Sequence, residues 1–172
     1  GYDDNLDGLI YNENVALCYS LDLSSLGISD MRGIEAFTNL LILDCSGNYF
    51  NYNTQDLDLT QNTSLKYLNA SNMLYLDLSI SGLSELEHLD LSNSNQTLFP
   101  TNLSELPLLN FFDFSFNRLD GGFLPESYPL QQTDGLFTNN PLLEYLDLSN
   151  CGIGSVYSPQ DLDLSQNGEL RY

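Results

Sequence analysis

The chain has 172 residues, of which 24 are acidic and only four basic (Arg32, Lys66, Arg118, Arg171), for a formal charge of −20. So anionic a surface repels nucleic-acid backbones and anionic lipid, and it favours cationic ligands, metal ions or plain solubility. No apolar run is long enough to cross a membrane, so direct insertion is not expected.

Residues 3–14 read DDNLDGLIYNEN. Asp3, Asn5 and Asp7, followed by Gly8 and Ile10, reproduce the first two-thirds of a calcium loop. Alternating oxygen side chains converge on a hard cation, Gly permits the sharp turn, and the Leu9 carbonyl adds a ligand. The twelfth place holds Asn14, and Glu13 sits one residue early, so one of these has to complete the shell. Ca2+ is the one cofactor the chain points to, with Asp3, Asn5, Asp7, Leu9, Glu13 and Asn14 as candidate ligands. The alternative is a metal-free turn, because Asp, Asn and Gly favour turns in any case. Either way, residues 1–16 read as an acidic N-terminal capping segment.

From residue 17 onward one unit recurs. It is clearest at Leu143–Ile153 (LEYLDLSNCGI), and it returns at Leu40–Phe50 (LLILDCSGNYF) and Leu109–Leu119 (LNFFDFSFNRL). This is the L-x-x-L-x-L-x-x-N/C-x-L unit of a leucine-rich repeat. Degraded copies lie at Cys18–Ile28 and from Leu65 and Leu86, and a seventh begins at Leu170. First places at 18, 40, 65, 86, 109 and 143 are 22, 25, 21, 23 and 34 residues apart. The longest interval contains an inserted loop at about 120–142, with Gly121, Gly122, Pro125, Pro129 and Gly135. The expected fold is a leucine-rich repeat solenoid with a parallel sheet of short strands on its concave face. Short strands, turns and a few short helices form the convex side. Helical turns are expected within 31–40 and 100–106. The LDL motifs at Leu57–Leu59, Leu76–Leu78 and Leu162–Leu164 read as brief convex strands. A single unit cannot bury its apolar edge alone, and stacking supplies the missing partner. Gln55–Tyr67 is echoed at Gln160–Tyr172. Because the chain starts without Met and stops inside a repeat, it reads as part of a longer polypeptide or surface complex.

The three cysteines occupy repeat positions: Cys18 the first place of its unit, Cys45 the sixth and Cys151 the ninth. An odd number at unrelated depths argues against disulfides.

The run SLDLSSLGISDMRGIEAFTNLLILDCSGN, Ser20 to Asn48, resembles secreted leucine-rich repeat proteins of the Bacteroidetes type. So do the LDCSGN and LDLSQN phrasing and the acidic loop ahead of the first repeat. Internalin-like proteins are looser relatives. The resemblance covers nearly all the chain and implies an exported or cell-surface location, with a role in adhesion or partner binding. The irregular spacings and the insertion depart from the even repeats of such proteins, so uniform curvature is not implied.

Within each unit the fourth and sixth places point inward, which turns the third and fifth to the concave side. The third places are Ser20, Ile42, Tyr67, His88, Phe111 and Tyr145; the fifth are Asp22, Asp44, Asn69, Asp90, Asp113 and Asp147. Parallel strands lie about 4.8 Å apart, so these become two columns, one largely aromatic and one largely acidic. Tyr67, His88, Phe111 and Tyr145, flanked by Asp44, Asp90, Asp113 and Asp147, are the candidate ligand-binding residues. Exposed rings rimmed by polar groups mark binding sites, although incidental exposure would also produce such a column. LDLS is in turn a habitual phrase of these repeats, and that alone could account for the acids. An inserted strand before Leu143 would move Tyr145 one rung away.

His88, beside Glu87 and Asp90, is the single histidine. With no nucleophile in a defined setting and no second imidazole, catalysis is not expected. Sequons at Asn62, Asn69, Asn95 and Asn102 matter only if the source glycosylates them. The expected function is non-enzymatic recognition of a protein, peptide or glycan, a basic peptide or a glycan fitting better than an acidic partner. The alternative is a passive stalk or secretion-cargo region of a larger surface protein.

Overall fold

The computed structural model describes residues 15–49, 57–74, 78–119, 135–152 and 163–171. Its strands, in chain order, are β1 (Ser20–Asp22), β2 (Ile42–Asp44), β3 (Leu57–Asp58), β4 (Tyr67–Asn69), β5 (Leu78–Ser79), β6 (His88–Asp90), β7 (Phe111–Asp113) and β8 (Tyr145–Asp147). Places three to five of every complete unit form a strand. These six strands make one parallel sheet in the order β1-β2-β4-β6-β7-β8. Equal places lie opposite one another throughout, so Ile42, Tyr67, His88, Phe111 and Tyr145 share one register line. β7 pairs directly with β8, so the long interval adds no strand between them.

The inward places explain the stacking. Leu40, Leu43 and Cys45 are fully buried, as are Leu65, Leu68 and Ala70, Leu86 and Leu89, and Leu109, Phe112 and Phe114. At β7 the core widens to take aromatic side chains: Phe99 lies 4.8 Å from Phe114, and Phe137 lies 5.8 Å from Phe112. At the first repeat the core opens into an apolar cavity of about 480 Å³, lined in part by Leu21, Leu23, Ile28, Met31, Ile34 and Phe37.

Each chain turn away from the sheet begins with one device, and four of the six add a second. The eighth place is left-handed, at Ser25 (φ 54°), Gly47 (66°), Asn72 (56°), Asn93 (52°), Phe116 (57°) and Asn150 (56°). Gly47 has a second reason to be glycine, since a Cβ there would stand 2.6 Å from Ser25 Oγ. Asn tolerates this conformation because its short amide bonds locally, whereas other L-residues pay roughly 1–2 kcal/mol for it. In four of the six units the ninth place then points inward and bonds to backbone, whereas Met73 is buried as an apolar side chain and Leu26 is exposed. Asn48 Nδ2 donates to Leu23 O and Cys45 O, and Asn117 Nδ2 donates to Leu91 O and Phe114 O. Ser94 Oγ and Cys151 Sγ do the same more sparingly, to Ala70 O and Phe114 O.

On the return side, β3 and β5 pair in parallel as the second sheet, Leu57 opposite Leu78. At the third LDL site the described residues, Asp163 and Leu164, are not in a strand. The two helical turns form as 3-10 turns at Ile34–Ala36 and Leu103–Glu105. A second asparagine device appears here. Asn62, Asn140 and Asn167, each three residues before a first-place leucine, are buried and donate across to the preceding return turn. Asn62 reaches Ile34 O and Phe37 O, Asn140 reaches Leu103 O and Leu106 O, and Asn167 reaches Phe137 O and Asn140 O.

Candidate functional site

The solvent face of the six-stranded sheet brings the candidate aromatic residues together. Tyr67 stacks on His88 at 4.3 Å between ring centroids and 12° between planes. His88 stacks on Phe111 at 4.0 Å and 12°, and Phe111 on Tyr145 at 4.3 Å and 3°. All three steps are shorter than the strand spacing of about 4.8 Å. The rings therefore converge as they leave the sheet, which is the geometry of a concave face. Stacking also gives the outward rings a stabilising role, since each such pair contributes about 0.5–1.5 kcal/mol beyond its buried area. Ile42 continues the column toward the N-terminus and is exposed.

Next to the rings run the fifth-place side chains Asp44, Asn69, Asp90, Asp113 and Asp147, paired rung by rung. Each has an oxygen committed to the turn that follows. Oδ1 of Asp44 accepts from Ser46 N at 2.9 Å, that of Asp90 from Ser92 N at 2.9 Å, that of Asp113 from Ser115 N at 2.8 Å, and that of Asp147 from Ser149 N at 2.8 Å. Asn69 makes the same bond to Ser71 N at 3.1 Å, and its amide donates to Asp44 Oδ2 at 3.1 Å. The acidic column is thus interrupted between Asp44 and Asp90, leaving Asp90, Asp113 and Asp147 as three carboxylates on consecutive rungs. The second-place column on the other side of the rings is balanced by ion pairs, Lys66–Glu87 at 2.9 Å and Arg171–Glu144 at 3.1 Å.

Electrostatics follow from this layout. Burial between two rings lowers the His88 pKa, and Asp90 and Asp113 oppose that shift. Burial, aided by Asp44 and Asp90, raises the Tyr67 hydroxyl. Burial likewise raises Tyr145, next to Asp147 and Asp113. Hydrogen bonds from the Ser149 backbone and hydroxyl hold the Asp147 carboxyl below its ordinary range. These directions favour a neutral ring ladder at neutral pH beside a charged Asp147.

Other candidates fall elsewhere. Asp3, Asn5, Asp7, Leu9, Glu13 and Asn14 lie outside the described residues. Among the described residues, no group of three or more His, Cys, Asp or Glu is placed to hold a metal ion. The three cysteines are free and buried, and burial, with Asp44 adding to it, pushes the Cys45 thiol up to about 12. The Asn62 sequon is fully buried, which closes it to modification in the folded chain. Sequence reasoning missed the eighth place, where Phe116 is 59% exposed despite its left-handed backbone. The signal was present as the series Ser, Gly, Asn, Asn, Phe, Asn down the repeats.

The Leucine Rich Repeat family matches residues 142–163. Among solved structures, the chain is similar to internalin C2 from Listeria monocytogenes, with a TM-score of 0.69 and 20% identity over 94% of this chain and 62% of that one. It is also similar to a leucine-rich repeat protein of Leptospira interrogans, with a TM-score of 0.54 and 20% identity over 93% and 49% of the two chains. The chain spans less than two thirds of either structure, and the likeness is one of fold: a leucine-rich repeat solenoid. No curated protein matches the sequence. Among the described residues no helix is long and apolar enough to cross a membrane.

Proposed function

We propose that the chain is a non-enzymatic recognition module of an exported or cell-surface protein, binding a basic protein or peptide segment on the solvent face of its main sheet. The observation that supports this is the unbroken ladder Tyr67–His88–Phe111–Tyr145 beside Asp90, Asp113 and Asp147. Rings already ordered by stacking have little rotamer freedom left to lose on binding, so contact area is gained at low entropic cost. Asp90 and Asp113 keep Oδ2 beyond the turn bond, Asp147 Oδ2 accepts from the Tyr145 hydroxyl at 3.4 Å, and the net charge of −20 draws cations toward them. A peptide suits this face better than a glycan. A sugar ring packs against the face of an aromatic ring, and between rungs those faces are closed at 4.0–4.3 Å, leaving ring edges.

His88 supports a binding role over catalysis, because its imidazole is enclosed between Tyr67 and Phe111. The exported or surface location rests on the sequence resemblance. Ca2+ at Asp3, Asn5 and Asp7, the Leu9 carbonyl and Glu13 or Asn14 belongs to the same proposal, as a cap on the first repeat.

Random peptides displayed on phage and selected against the 172-residue chain test the reading. Enriched peptides should be rich in Lys and Arg and should bind more weakly as salt rises. Replacing both Tyr67 and Phe111 with Ala should weaken them by more than about 2 kcal/mol, as hot-spot truncation does, with the circular dichroism spectrum retained. No enrichment, or affinity unchanged in the double variant, would refute the proposed face and leave the stalk as the better account.

A further inference from the structure

We propose that Phe116 is a second anchor for the same ligand, so that one rung, β7 with its turn, carries Phe111, Asp113 and Phe116 as a single recognition unit. The inference rests on the reading of the solvent face as a binding face and adds a residue to it. An isolated exposed hydrophobic residue is ordinary on a protein surface. Phe116 differs in its backbone. It stands at φ 57°, in a column whose other described members are Ser25, Gly47, Asn72, Asn93 and Asn150. Four of these six positions carry Asn or Gly, the residues that tolerate a left-handed conformation.

Packing does not explain the substitution, because Phe116 is 59% exposed. Backbone hydrogen bonding does not explain it either. Phe116 N donates to Ser149 O at 2.9 Å, and Asn93 N and Asn72 N make the equivalent bonds to Ser115 O and Ser92 O. Asparagine would thus serve the fold at this place and relieve the strain. Strain at an exposed side chain with no packing role points to function.

Position gives the function its chemistry. Phe116 follows Asp113 by three residues, on the turn that Asp113 Oδ1 fastens through Ser115 N. Asp113 has Asp90 and Asp147 on the rungs to either side. Along the chain, through β7 and its turn, the order is therefore ring, carboxylate, ring. The partner that complements it is a peptide segment lying along β7 with a Lys or Arg over Asp113 and apolar groups to both sides. Neighbouring rungs hold Asn93 and Asn150 at the eighth place, so β7 alone among the rungs of the ladder has this double aromatic flank.

The test uses one peptide from the display selection above, synthesised and titrated by fluorescence anisotropy against three forms of the full chain. Phe116→Asn should bind at least about tenfold more weakly, because the anchor is gone. Its Tm should stay the same or rise by about 2–4 °C as the strain is relieved. Phe116→Tyr, which keeps the ring, should bind within about threefold of the parent. Unchanged binding in Phe116→Asn, with loss in the Tyr67/Phe111 double Ala variant, would overturn this inference and leave the ladder standing. A fall in Tm for Phe116→Asn would also overturn it, by showing that the ring packs. Unchanged binding in both, or no selected peptide at all, would overturn the ladder and the anchor together.

Discussion

Asn117 tests how the turns of this solenoid are held. It is 3% exposed, and its side chain makes four close bonds to backbone groups in two repeats. Nδ2 donates to Leu91 O and Phe114 O, both at 2.9 Å, while Oδ1 accepts from Ser94 N at 3.1 Å and Gln96 N at 2.9 Å. In Asn117→Ala, Phe114 O keeps the Cys151 thiol at 2.8 Å, and the part-buried Gln96 N–H can turn to water. The groups that suffer are the buried Ser94 N–H and Leu91 C=O. Leaving a buried polar group unsatisfied costs about 1–3 kcal/mol, so with two such groups the variant should lose about 2–6 kcal/mol of stability. Asn117→Cys should recover little, since Cys151 at the equivalent place shows one short contact where Asn makes several. Asn48→Ala should cost less, because two of its three principal bonds, with Leu23 O and Ile28 N, are only part-buried. Urea unfolding followed by circular dichroism measures all three, with equal m-values as the check that the transition stays comparable. A loss below about 1 kcal/mol for Asn117→Ala, or a larger loss for Asn48→Ala, would refute the account of the ninth place.

Calcium binding at residues 3–14 should raise Tm when chelator is replaced by millimolar Ca2+, by stabilising the native state, and Asp7→Ala should remove the rise; an unchanged melt would leave a metal-free cap. His88 should make stability depend on pH in a fixed direction. Its folded pKa lies below the unfolded value, so between the two the unfolded chain binds more protons. The stability His88 contributes is then complete above pH of about 6.5 and declines as pH falls through that value. His88→Phe keeps the ring, so its melting profile should lack this component between about pH 7.5 and 5.5. Parallel profiles for parent and variant would show that burial in the ladder does not bias the imidazole.

The fold was legible because the repeat unit states both direction and register. Leucine at places one, four and six marks the buried side, and equal places must align when units stack, as Tyr67, His88, Phe111 and Tyr145 do. The free, buried cysteines followed from the same bookkeeping of places. What alternation cannot convey is contact between neighbours. It points Tyr67 and His88 outward, but only the sheet's convergence brings their rings to 4.3 Å. Nor can it convey hydrogen bonds to the backbone of the preceding repeat. Asn140 reads as loop polarity, yet it is buried and bound to Leu103 O, 37 residues earlier. Whether the long interval before β8 adds a strand was equally invisible, because insertion length does not determine pairing. Phe116 was overlooked for a related reason: its hydrophobicity was visible, but the left-handed backbone beneath it was not.

The acidic column shows how one side chain can answer to both fold and surface. Its Oδ1 bond from the N–H two residues on is a turn device, and the device works away from the ring ladder too, where Asp58 accepts from Thr60 N at 2.9 Å and Asp163 from Ser165 N at 2.9 Å. A repeated Asp is therefore no evidence of a site by itself. Asn69 separates the two roles. It keeps the turn bond without carrying a charge, so the turn needs an acceptor oxygen and not a carboxylate. A carboxylate at Asp90, Asp113 and Asp147 is then not dictated by the turn, and like charges on consecutive rungs repel one another. On the return side no ring column accompanies the same device among the described residues. What distinguishes the solvent face is the coincidence of acids the turns do not require with rings that are stacked yet still reach solvent. The case for binding rests on that coincidence and on neither column alone.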